Sequence, residues 1–129
     1  MLEFNELVRH ICRNPGMYVT PSSLATVMAY LRGFDMARDD GPLCGLREWL
    51  VVRLNDGNNR VWEGLIPQLF PTVAERVESQ TDDEDSRFHA LGEVLESFFQ
   101  YRSEQGLTKI FYDHGKWLLK HEWYTGPLR

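Results

Sequence analysis

Residues 81–106 read TDDEDSRFHALGEVLESFFQYRSEQG. Thr81 and Glu84 are spaced as a capping box, the hydroxyl accepting from an orphan amide while the carboxylate reaches back to the cap. Beyond it Phe88, Leu91, Val94, Leu95, Phe98 and Phe99 return at three- and four-residue intervals, the period of one helical face. Gly106 stands where such a helix hands over to left-handed backbone. The stretch predicts one long central helix, and an apolar face of that length needs several neighbours to cover it.

Those neighbours are legible on both sides. Leu2, Phe4, Leu7, Val8 and Ile11 predict a first helix ending near Arg13. Pro15-Gly16 then makes a corner, with Gly16 expected at positive φ. Thr20 or Ser22 is the expected cap of a second helix with Pro21 in its first turn, burying Leu24, Val27, Met28, Leu31, Phe34 and Met36. Gly33 inside it suggests close approach by another element or simple tolerance in a well-packed helix. After the loop at residues 39–42, Leu46, Trp49, Leu50, Arg53 and Leu54 describe a short helix stopping at Asn55-Asp56-Gly57. Val61, Trp62, Leu65, Ile66, Leu69 and Phe70 keep a helical period that Pro67 and Pro71 interrupt, so 59–79 reads as a bent helical passage. In the last segment Leu107, Ile110, Phe111, His114, Trp117, Leu118 and His121 fit one helical face, with a minor β-hairpin starting from a Lys109–Asp113 strand as the alternative. The expectation is an all-α fold: a single compact helical domain over residues 1–129, with about six helices.

At 129 residues and 43% hydrophobic content there is enough apolar material for one core, and a net charge of -5 is too small for intrinsic disorder. The acidic balance argues against direct nucleic-acid binding, which calls for a basic excess or stripe. No window approaches 18 uninterrupted apolar residues and the first residues lack leader features, so neither membrane insertion nor secretion is expected. Cys12 and Cys44 are too few for a disulfide framework and read as reduced, cytoplasmic thiols.

Catalytic chemistry finds little to build on. Of His10, His89, His114 and His121, the last two share a helical face, yet seven residues apart rather than the four that converge on a metal. His10 and Cys12 lie on different sides of their helix, and neighbours such as Asp113 and His114 point about 100° apart. No glycine-rich phosphate loop is present. The expectation is a non-enzyme with neither metal nor cofactor.

Charge distribution is more informative. Residues 75–85 hold Glu75, Glu78, Asp82, Asp83, Glu84 and Asp85 against Arg76, a sum of -5, while the remaining residues contain 13 acids and 13 bases. Helix-dipole and capping preferences account for acids in a first turn, and for no more than that. The functional reading is an acidic face that steers and holds a basic protein partner. Tyr18 in the corner, and Trp123 and Tyr124 near the C-terminus, lie off the core periodicity and are candidate interface anchors.

Arg13-Asn14-Pro15-Gly16-Met17-Tyr18-Val19, followed by Ser23 through Phe34 (SLATVMAYLRGF), resembles a pattern of small bacterial proteins, roughly R-x-P-G-M-Y then S-L-x-x-L-x-A-F-L-x-G-Y. Leu46-Arg47-Glu48-Trp49-Leu50 and the segment from Leu91 to Phe98 are similar to their tryptophan-containing short helix and late phenylalanine-rich helix. These are immunity proteins of polymorphic toxin systems, including contact-dependent growth inhibition. Val19-Thr20 and Phe34 depart from the pattern, where an aliphatic residue then glycine, and a tyrosine, are usual. The resemblance implies a cytoplasmic helical protein that binds and neutralises a cognate toxin domain without catalytic residues of its own. The alternative is a stand-alone helical adaptor or regulatory module, and monomer and homodimer fit the apolar faces equally.

Overall fold

The computed structural model describes residues 3–39, 41–71 and 84–121, and among them the secondary structure is helical with no strand. Among the described residues six α-helices are bounded, in order: α1 (Phe4–Arg13), α2 (Leu24–Ala37), α3 (Leu46–Leu54), α4 (Trp62–Leu65), α5 (Glu84–Gln105) and α6 (Leu107–Leu119). Two 3-10 segments, Pro15–Met17 and Ile66–Leu69, form the first corner and the continuation of α4.

α5 is the central element. Phe88, Leu91, Val94, Leu95 and Phe98 are buried along it, and α1, α2, α6 and the Ile66–Leu69 turn all pack against it. α1 contributes Leu7, Val8 and Ile11 to this core. α3 supplies Leu46, Trp49, Leu50 and Val51, with the Trp49 ring 5.6 Å from that of Phe98. α6 lies on α3 and α5 through Ile110 and Trp117. Lys109–Asp113 is helical, so the hairpin alternative does not occur; Gly106, at φ +85, turns the chain from α5 directly into α6 and leaves no length for a strand.

Several local expectations are corrected. The cap of α2 is Ser23, one residue beyond Ser22: the Thr26 amide donates to Ser23 Oγ at 3.2 Å, and the Ser23 amide to Thr26 Oγ1 at 3.1 Å. Pro21 therefore precedes the cap, and its carbonyl accepts from the Ser23 amide and the Thr26 hydroxyl. Gly16 is not at positive φ; a Cβ there would sit 3.2 Å from Ser22 Oγ, so close packing of the corner, not backbone hand, is what a side chain would disturb. Nothing lies within 4 Å of a Cβ built on Gly33, which answers no close approach.

Met36 is 63% exposed rather than in the core, and Asp35 is 8% exposed in its place. The reason is a loop anchor: Asp35 Oδ1 accepts from the Leu43 amide at 2.7 Å, and a buried carboxylate needs such a donor. Arg102 of α5 donates from the other side to the carbonyls of Pro42 at 2.9 Å and Cys44 at 3.1 Å. Its guanidinium lies over the rings of Phe98 and Phe99, and burial lowers its pKa against the raising influence of Cys44 and Asp35.

The bent passage begins as expected. α4 gives way to 3-10 geometry at Ile66, where Pro67 takes an early position that needs no amide. The passage from residue 72 to 79, and the capping oxygen of Thr81, lie outside the described residues.

Candidate functional site

The expected binding residues divide in three. Glu84 opens α5 and Asp85 follows it, exposed. Tyr18 is half-buried at the end of the Pro15–Met17 turn, packed against the core with its ring edge-on to that of Tyr30 at 5.9 Å. Glu75, Glu78, Asp82, Asp83, Trp123 and Tyr124 lie outside the described residues.

Cys12 is half-buried between α1 and α5, its Sγ 3.6 Å from a Cβ built on Gly92, and burial pushes the thiol up to about 12. His89 pairs with Glu93 one turn on, at 3.8 Å on an exposed surface. Asp113 accepts from Lys109 at 2.8 Å and from the Tyr101 hydroxyl at 3.5 Å, so it partners α5 and its own helix rather than His114. Among the described residues no three His, Cys, Asp or Glu side chains gather as a metal site.

His114 and His121 do share a face of α6, and Trp117 lies between them, its ring stacked near-parallel to His114 at 6.2 Å and 3.9 Å from His121. Trp117 and His114 dock α6 on the loop that follows α3. Trp117 Nε1 donates to Asn55 Oδ1 at 2.7 Å, and His114 Nε2 donates to Asn58 Oδ1 at 2.8 Å. His121 Nδ1 donates to the Trp117 carbonyl at 2.7 Å. The Asn55–Asn59 loop is further held by Arg47, whose guanidinium donates to the Asn58 and Arg60 carbonyls. Burial depresses the His114 pKa; Glu48 raises it and Arg47 lowers it by smaller amounts.

The outer side of α6 is a different surface. Phe111 is 43% exposed, Tyr112 61% and Leu119 56%. Phe111, Gly115 and Leu119 recur at i, i+4 and i+8 and so line one face, with Tyr112 beside them and Leu107 one turn before. Gly115 lies mid-helix, where glycine costs about 1 kcal/mol relative to alanine, and a Cβ built there meets nothing within 4 Å. Along the edge of this face run Lys109, Lys116 and Lys120, at i, i+7 and i+11, and these are all the lysines of the chain. Lys116 Nζ lies 5.4 Å from the Tyr112 ring centre, while Lys109 is held by Asp113.

Sequence periodicity assigns Phe111 to the buried face, and the structure puts it at the margin between core and surface. The signal that finds the outer face is a second register on the same helix, Thr108, Tyr112, Gly115 and Leu119, together with the confinement of lysine to α6 and its C-terminal cap, Lys120. No protein-family profile matches the chain, and no curated protein or solved structure matches it.

Proposed function

We propose that this protein is a bacterial immunity protein, which binds and neutralises a cognate toxin domain in the cytoplasm as a non-catalytic inhibitor. The observation that carries the reading is the confinement of the whole net charge of -5 to residues 75–85, leading into the central helix α5. A charge concentrated in so short a stretch suits a partner with a basic cleft, as in a nuclease, because it speeds encounter and competes with the phosphates such a cleft is built to hold. The resemblance around Pro15-Gly16-Met17-Tyr18 supports the same class of role. No helix among the described residues is long and apolar enough to cross a membrane.

The test is co-expression of the tagged protein with the C-terminal domain of the adjacent large open reading frame. Rescue of growth with a stoichiometric complex is the expected outcome. Reversing Asp82, Asp83 and Asp85 to lysine is expected to weaken that complex at least about tenfold at low salt and to flatten its salt dependence. Absence of both toxicity and complex would move the protein to the adaptor reading, with the acidic cluster left as a helix cap.

A further inference from the structure

We propose that the outer face of α6 is the second contact for the same toxin domain, receiving an amphipathic helix or ridge with apolar side chains at its centre and carboxylates along one edge. The proposal rests on the immunity reading for the identity of the partner, and on independent residues for the surface. Three observations meet there. Phe111, Tyr112 and Leu119 are exposed together on one helix, a grouping larger than the scattered single apolar residues normal for a surface. Gly115 sits between Phe111 and Leu119 with open space over it, leaving a notch in which a partner's side chain or backbone can approach the helix axis.

The third observation selects the partner's chemistry. Lys116 and Lys120 border the notch along one edge, beyond the Lys109–Asp113 pair, and elsewhere every permanent cation is arginine. Flexible ammonium groups bordering an apolar centre match a rim of carboxylates around an apolar knob, the usual arrangement of a protein interface. α6 meets both demands at once because its two faces are distinct: Ile110 and Trp117 hold it to α3 and α5, while Phe111, Tyr112 and Leu119 are exposed on the other side, where a partner can bind without loosening the packing among the described residues. The lysine edge and the acidic stretch then call for opposite charges on one partner, a basic cleft and an acidic-bordered apolar patch.

The experiment measures affinity for the neighbouring C-terminal toxin domain by calorimetry or surface plasmon resonance, using the intact chain and three variants. Phe111→Glu with Leu119→Glu is expected to weaken binding about 100-fold, the loss of two central anchors. Gly115→Leu fills the notch at a site with no internal neighbour, so it is expected to keep or raise Tm while weakening binding at least about tenfold. Lys116→Glu with Lys120→Glu is expected to weaken binding about tenfold at low salt and less at high salt. Unchanged affinity in all three, while reversal of Asp82, Asp83 and Asp85 abolishes the complex, would overturn this proposal and leave the immunity reading standing. No binding by the unmodified chain would overturn both. Sedimentation of the chain alone and with phosphatidylserine vesicles completes the test: α6 variants that abolish self-association or vesicle binding, yet leave the toxin complex intact, would overturn it in favour of a second copy or a lipid surface.

Discussion

Gly57 shows what one residue can require of its neighbours. It sits at φ +89 in the Asn55–Asn59 loop, and a Cβ there would fall 2.3 Å from Leu65 Cδ2. Leu65 is fully buried, so its methyl must shift within the core, and that repacking adds to the backbone strain of a side chain at positive φ. Gly57→Ala is expected to lower stability by about 2 kcal/mol, read as a fall in the urea midpoint at constant m-value. A variant as stable as the parent would mean that the loop can flip to another turn. That α3 stops at Asn55-Asp56-Gly57 is visible in the sequence, Asn55 taking the left-handed cap and Gly57 a second positive φ; that Gly57 also faces Leu65 is not, because Leu65 comes from the next helix. Met36 and Asp35 teach the same lesson in reverse. Helical spacing puts an apolar residue inward, yet the Leu43 amide needs an acceptor and the carboxylate takes the buried place.

At the scale of elements, the long helix, the short α3, the broken α4 and the final α6 follow from apolar periodicity and from the placing of proline and glycine, which act within a turn or two of themselves. The cap of α2 is ambiguous in the sequence, since Thr20, Ser22 and Ser23 all carry a capping oxygen, and it is Ser23 that forms the reciprocal pair with Thr26 three residues on. The two faces of α6 were harder still, because periodicity marks apolar positions without saying which of two apolar faces has an internal partner. The docked face yields a pH test. The His114 pKa is depressed in the folded chain, so above about pH 6.5 the ring is neutral in both states and its bond to Asn58 is intact. As pH falls below that value the unfolded chain takes up a proton that the folded chain resists, and stability declines. The stability difference between the parent and His114→Gln, followed by urea unfolding from pH 7.5 to 5, is therefore expected to shrink as pH falls. A difference independent of pH would show that the ring titrates alike in both states.

For the molecule as a whole, composition and periodicity carried the architecture well: one helical unit with α5 inside it. The two candidate surfaces differ in how far the sequence alone shows them. The acidic stretch stands out in the sequence because charge is counted without knowing the fold, whereas the outer face of α6 appears when the inner face has been occupied by α3 and α5. Arginine and lysine divide the work in a way that composition alone conceals. Arg47 and Arg102 each hold backbone carbonyls of a loop, a task suited to a forked donor, while the three lysines are kept to one helix edge.

The bond from the Leu43 amide to Asp35 has a consequence for how the molecule breathes. Leu43 belongs to a connection between helices, where amides ordinarily trade their hydrogen for solvent deuterium within moments. Here the acceptor is a buried carboxylate on α2, and the carbonyls on either side are gripped by Arg102 from α5, some 60 residues further along the chain. Freeing that amide means separating α2, the loop and α5 together, which is close to unfolding the whole. In deuterium exchange followed by NMR, Leu43 is expected to be as slow as the buried amides of α5, and Asp35→Asn to speed it selectively. Rapid exchange at Leu43 in the parent protein would show instead that the loop opens by itself.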